Sequence, residues 1–402
     1  MRPPRRSARL PVALAGLVLL LLAFGIWVGG RHPGWLPGPI RGALVGDTQS
    51  AVVREAIDDI HRTYYREIPK RQLADDAIAG VVQRLNDRFS NYFTPAEYKQ
   101  FKDSQHSEFS GIGLAVSEDR RGLRVDEVYD GSPAKRAGIR PGDIVVEANG
   151  RPLRGRTSDE STSFIKGRPG TQVKVTWLHR GARRTKVITR NTVSVPVVAS
   201  EVDRAGRCKV GVVRLAQFSS GAHAELYAAL RKARRAGATE FVLDLRGNGG
   251  GLVNEAQLVA SAFLPDGPIV TTRGRAVPAR TLRATGDPVV PRRPLVVLVD
   301  KNTASASEIV TGALQDRHRA KVVGTRTFGK GVFQQVLELS NGGALDITAG
   351  QYFTPSGRNL GGKGVSPGSG IQPDVKAVDD PNTTRDEAKA RALAVLADSC
   401  RG

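Results

Sequence analysis

Leu295-Val296-Val297-Leu298-Val299-Asp300-Lys301-Asn302-Thr303-Ala304-Ser305-Ala306-Ser307-Glu308 passes from five apolar residues, through a polar turn, into a segment of helical character. An unbroken apolar run suits a strand buried on both faces, and such strands belong to sheets covered by helices. The pattern extends both ways along the chain. Strands are expected at 210–215, 240–245, 295–299 and 322–324, with helices at 222–236, 254–263 and 305–314. That alternation makes residues 193–376 an α/β domain.

Ser305 falls at a helix N-terminus, where unpaired amides and the macrodipole favour negative charge. A serine there can act as a nucleophile, with the Ala306 amide as an oxyanion donor. Ser305-x-x-Glu308 also fits a capping box, in which both side chains only satisfy helix-end amides. The second element of the site is Lys330, within Phe328-Gly329-Lys330-Gly331-Val332-Phe333-Gln334. A lysine buried beside Phe328 and Phe333 would lose pKa and could take the serine's proton, with Gln334 holding the amine.

The third element is Phe241-Val242-Leu243-Asp244-Leu245-Arg246-Gly247-Asn248-Gly249-Gly250-Gly251, a strand followed by a glycine turn. Leu252 breaks the Gly-x-Gly-x-x-Gly fingerprint, and no Gly-Lys-Ser/Thr is present, so nucleotide loops are excluded. An oxyanion amide from Gly251 or Gly250 remains.

Before this domain the chain changes character several times. Four arginines in residues 1–9 precede a charge-free run at 10–28, close to the roughly 20 residues that cross a bilayer as a helix. No clear small-x-small cleavage site follows it, so an uncleaved anchor is favoured over a cleaved signal. That places the bulk of the chain outside the cytoplasm, single-pass on the cell membrane. Residues 29–48 read as a Pro/Gly linker and 49–105 as a helical region suited to self-association into a homo-oligomer. Val52, Val53, Ala56, Ile57 and Ile60 carry its apolar periodicity. The tail at 377–402 is polar and then weakly helical.

The 402 residues carry a formal charge of +21, but the arginines are scattered and aromatics are only 5%, so nucleic-acid binding is not expected. Cys208 and Cys400 permit one optional bridge at most. The six histidines make no i, i+4 pair and no His-Glu-x-x-His, which excludes that route to a metal site. No cofactor is expected.

Residues 106–192 resemble a PDZ domain in the order of their elements: a Gly111-Ile112-Gly113-Leu114 loop, strands, a short helix, Pro141-Gly142-Asp143, a strand and Asn149-Gly150. Such a loop offers amides to a peptide's terminal carboxylate. Taken with that module, Asp244-Leu245-Arg246-x-Asn248-x-Gly250-Gly251, Ser305-Ala306-Ser307-Glu308-Ile309 and Phe328-Gly329-Lys330-Gly331 resemble the carboxyl-terminal processing peptidases of the S41 serine protease family. Residues 86–98 and 351–357 are similar to further segments of that family.

The resemblance implies an α/β, crotonase-like protease core with an inserted, mainly β PDZ domain. It implies Ser305 as nucleophile, Lys330 as general base, Gln334 as the residue orienting the lysine, and Gly251, Gly250 and Ala306 around the oxyanion. Glu308 would support the dyad, and Lys166 and Arg168 stand where the family carries a gating arginine. Lysine cannot reproduce arginine's bidentate contacts, so the pattern departs there. Substrates would be proteins or peptides with free C-termini. The alternative is a catalytically silent PDZ scaffold.

Overall fold

The computed structural model describes residues 48–105, 108–362, 364–380 and 382–400. The apolar run at 10–28 lies outside them. Among the described residues no helix is long and apolar enough to cross a membrane. The chain divides after Asn86. The first unit contains α1 (Thr48–Thr63) and α2 (Lys70–Gln83). Val52, Val53 and Ile60, read from sequence as part of an apolar stripe, are exposed here, as are Tyr65, Val81 and Leu85.

The second unit opens with β1 (Asn91–Phe93) and α3 (Pro95–Ser104). Thr94 and Glu97 form a capping box at the start of α3, and Pro95 occupies a first-turn position where no donor is needed. The next module comprises β2 (Glu108–Gly111), β3 (Leu114–Asp119), β4 (Gly122–Val128), α4 (Pro133–Ala137), β5 (Ile144–Ala148), β6 (Arg151–Pro152), α5 (Ser158–Ile165), β7 (Gln172–His179), β8 (Ala182–Thr189) and β9 (Asn191–Ser194). β2 and β9 pair antiparallel where the chain enters and leaves. Between them lies an antiparallel sheet in the order β3-β4-β5-β7-β8, with β6 on β5. Its core is Leu123, Val125, Val145, Val175 and Trp177, all essentially without solvent exposure.

The remaining elements are β10 (Val198–Ala205), β11 (Cys208–Leu215), α6 (Ala222–Arg235), β12 (Glu240–Asp244), α7 (Val253–Ser261), β13 (Pro268–Gly274), β14 (Arg280–Arg283), β15 (Leu295–Val299), α8 (Ala306–Asp316), β16 (Lys321–Gly324), β17 (Val332–Glu338), β18 (Ala344–Phe353), β19 (Val375–Lys376) and α9 (Glu387–Ser399). One sheet runs β10-β11-β12-β15-β16-β19, parallel throughout except for β10. Its side chains alternate as the strand period requires. Phe241, Leu243, Val297 and Val299 join the core formed with α6, α7 and α8. Val242, Val296 and Leu298 meet Ala388, Ala392 and Leu396 of α9 on the opposite face.

The polar stretch after Val375 therefore ends in an element that covers a face of the core, and the structure differs here from a mere tail. Its buried side is two alanines and a leucine at i, i+4 spacing, which gives a faint pattern in sequence. Cys400, at the end of α9, is joined to Cys208 of β11 by a disulfide. A second sheet, β1-β18-β13-β14 with β17 also on β18, carries the segment that follows Lys330.

Candidate active site

β12, β15 and β16 are parallel neighbours, with Asp244 beside Leu298 and Val299 beside Gly324. The loops that follow them emerge at one edge, outside the carboxyl ends of the strands, where open α/β sheets gather ligands. Those loops carry Gly250 and Gly251, Ser305, and Lys330.

Ser305 precedes α8 at φ 57° and ψ −115° and is buried. An ordinary helix N-cap sits in the extended region, and a non-glycine residue at this φ, ψ is strained. The capping-box reading accounts for Glu308 accepting from the Ser305 amide at 2.9 Å; it does not account for the strain. The Ser305 hydroxyl stands against the buried Tyr352 phenol, whose pKa is pushed up by burial and opposed by that contact.

The glycine loop packs directly on this turn. A Cβ on Gly250 would lie 2.9 Å from Ser305 Cβ and 3.0 Å from the Ala306 nitrogen, and its φ of +104° also demands glycine. Asn248, fully buried, stitches the two segments together. Its carbonyl accepts from the Ala304 amide at 3.0 Å and from Ser307 Oγ at 2.9 Å, and its Oδ1 accepts from the Gly250 amide at 2.9 Å. That last bond corrects the expectation for Gly250, because its amide is already committed. Phe218 donates to the Gly250 carbonyl and accepts from Leu252, a bridge in which the Gly251 amide turns to the other side. Ala306 is the first residue of α8, so its amide has no intrahelical acceptor. Among the described residues no hydrogen bond is made by the amides of Gly251 or Ala306, one in the glycine loop and one adjoining Ser305.

Glu308, without solvent exposure, clamps the serine segment to the lysine segment. Its Oε1 accepts from Thr327 Oγ1 at 2.6 Å and the Gly329 amide at 2.7 Å; its Oε2 accepts from the Ser305 and Lys330 amides, each at 2.9 Å. Burial raises its pKa, and the four donors oppose the rise, Thr327 first. Gly329, at φ +93°, lies where a Cβ would meet the Ser366 carbonyl oxygen at 2.4 Å, so this approach needs glycine as well.

Lys330 is half-buried, and that burial lowers its pKa; Asp346 and Asp87 oppose the shift and Arg88 adds to it. Its Nζ donates to Gln334 Oε1 at 2.9 Å and lies 4.5 Å from the centre of the Phe89 ring. Among the described residues no hydrogen bond joins Lys330 to Ser305. Shielding was expected from Phe328 and Phe333. Instead Phe89 covers the amine, Phe328 stacks with Arg88, and Phe333 packs on Tyr352. Asn248 belongs to the glycine-loop motif, and Phe89 and Tyr352 to the segments at 86–98 and 351–357, but sequence gives these three and Thr327 no role at the site, because their contacts there depend on how distant segments pack.

In the β module, Gly111 to Leu114 line a cavity of about 40 Å³ together with Phe109 and Lys166. Lys166 caps the end of α5. No hydrogen bond links the Lys166 or Arg168 side chain to Ser305, Lys330 or the glycine loop among the described residues. The grouping of metal-ligating side chains found there is Cys208, Glu240 and Cys400, whose two sulfurs are bonded to each other.

The family model for peptidase family S41 matches residues 209–377, and that for the PDZ domain matches residues 110–189. The chain thus carries an S41 peptidase match behind a PDZ match. It is 35% identical over 311 residues to a protein described as a "Probable CtpA-like serine protease" in Staphylococcus aureus strain N315, and equally to one from Staphylococcus epidermidis. Each match covers 77% of this chain and 62% of the relative, so the chain spans under two thirds of these relatives' length. The solved photosystem II D1 C-terminal processing protease is 28% identical, with a TM-score of 0.51, over 87% of this chain and 98% of that one. An S41 protease structure from Bacteroides fragilis, 19% identical with a TM-score of 0.50 over 86% and 97% of the two chains, shares the fold.

Proposed function

We propose that the chain is a serine endopeptidase that processes protein C-termini with a Ser305–Lys330 dyad. The observation that carries this reading is a strained Ser305 at the start of a helix and against the glycine loop, with a half-buried, pKa-depressed lysine on the same sheet edge. Neutral Lys330 takes the Ser305 proton as Oγ attacks the scissile carbonyl. The Gly251 and Ala306 amides receive the oxyanion, the lysine returns the proton to the leaving amine, and water then releases the acyl group. The present Lys330–Gln334 contact is a resting arrangement, since catalytic contacts often tighten only with substrate bound.

The PDZ module captures the substrate's terminal carboxylate at Gly111 to Leu114. The run at 10–28 tethers the enzyme to the cell membrane with its catalytic part outside the cytoplasm. Turnover of fluorescently labelled β-casein tests the chemistry. Ser305→Ala and Lys330→Ala should each lose at least about 10³-fold in kcat/KM. Full activity in either variant refutes the dyad, and binding without cleavage by the unaltered chain leaves the scaffold reading standing.

A further inference from the structure

Gln334 meets Lys330 through one end of a side-chain amide whose two ends are nearly identical in shape and opposite in hydrogen bonding. Whichever group holds the far end decides which end the lysine sees. Gln334 Nε2 donates to Thr348 Oγ1 at 3.1 Å. A hydroxyl has one proton, so Thr348 is a dependable acceptor for Gln334 only if its own proton goes elsewhere.

The Asp87 carboxylate faces the Thr348 side chain and is placed to take that proton. The same carboxylate accepts from Ser90 Oγ at 2.7 Å and from the Phe89 amide at 3.0 Å. Ser90 Oγ in turn accepts from the Thr348 amide at 3.0 Å, locking the Asp87 turn to β18. An ionised carboxylate can only accept, so the donor direction of the whole row is set at its Asp87 end. A shift in strand register between Phe333 and Gln334 brings Gln334 opposite Thr348, and such irregularities commonly re-aim a side chain. The same short segment supplies Phe89 over the amine and Arg88 over the Phe89 ring at 4.7 Å.

We propose that Asp87 is a positioning residue for Lys330: through Thr348 it fixes the Gln334 amide with its oxygen toward the lysine, while its turn sets Phe89 over the amine. The inference rests on the Ser305–Lys330 reading. Asp87, Arg88 and Asp346 are the charged groups that face Lys330.

Asp87→Asn keeps the turn acceptor but places a donor opposite Thr348, so the row can reverse and present Gln334 Nε2 to the lysine. With labelled β-casein, kcat should fall at least about 10-fold with KM within about 2-fold. The rising limb of the pH profile should move to lower pH, because a carboxylate and an amide oxygen that favoured the ammonium are lost. Gln334→Glu in the Asp87→Asn background offers oxygen at both ends; it should recover kcat and move the limb above that of the unaltered chain. A purely structural Asp87 would not be rescued this way.

Thr348→Val breaks the row without touching the turn and should reproduce the loss and the shift, which decides the matter if Asp87→Asn unfolds. Unchanged kcat and pH limb in both folded variants, or no recovery with Gln334→Glu, overturns the proposal. Absence of turnover by the unaltered chain, or full activity in Ser305→Ala, overturns the dyad itself and this inference with it.

Discussion

Two carboxylates act on the proposed dyad in different ways at the scale of single residues. Asp346 acts on Lys330 through space: it favours the ammonium, whereas burial favours the neutral amine that catalysis needs. A base works above its pKa, so activity should rise with pH through the lysine's depressed pKa. Asp346→Asn removes one group holding that value up, and the rising limb of log kcat against pH should shift to lower pH. An unmoved limb would mean that Lys330 is not the titrating base. Glu308 acts through four accepted bonds, two from the serine segment's own turn and the lysine amide, and two from Thr327 and Gly329. Glu308→Gln must set an NH2 against one pair of donors whichever way it turns. A loss of about 10²-fold in kcat is expected, the scale of a roughly 1 Å misplacement at a reacting centre. Ser305 and Glu308 could be picked out of the sequence because they open a helix behind an apolar strand, and Lys330 because it stands between two glycines. Asp87, Phe89 and Thr348 could not, since their meeting depends on how β1, β17 and β18 pair across the chain.

Elements explain why the α/β domain was readable and its outer layers were not. The central strands are buried on both faces and read as apolar runs; α9 buries only Ala388, Ala392 and Leu396, and its pattern is faint. What fastens α9 is partly covalent and partly polar. The Cys208–Cys400 disulfide ties its end to β11, and Arg246, next to the glycine loop, bonds to Asp386 at its start and to Asp244 of β12. The bridge closes a loop of 192 residues, so in the chain-entropy account its loss should cost up to about 5 kcal/mol of stability. Cys208→Ala/Cys400→Ala should therefore unfold at distinctly lower denaturant concentration than the oxidised chain, and the gap should close when the latter is reduced. Equal midpoints before reduction would show that packing alone secures the helix.

The molecule as a whole places a PDZ module, proposed to read peptide ends, and a candidate peptidase site in one chain, and the two roles can be separated kinetically. The cavity beside Gly111 to Leu114 is small and lined mainly by apolar residues, with Lys166 among them. Gly113 cannot be enlarged, since a Cβ there would lie 2.3 Å from Ser132 Cβ at a φ of +85°. A terminal carboxylate received by backbone amides forms charge-assisted bonds, worth about 1.5–3 kcal/mol each, and these are the same in the ground and transition states of a distant cleavage. Capping the substrate's carboxylate as an amide should therefore raise KM by about 10-fold or more and leave kcat nearly unchanged. Gly113→Ala should raise KM for the free acid toward the amide's value and have little effect on the amide. A fall in kcat with unchanged KM would point the other way, to a terminus that is read in the catalytic groove itself rather than at Gly111 to Leu114.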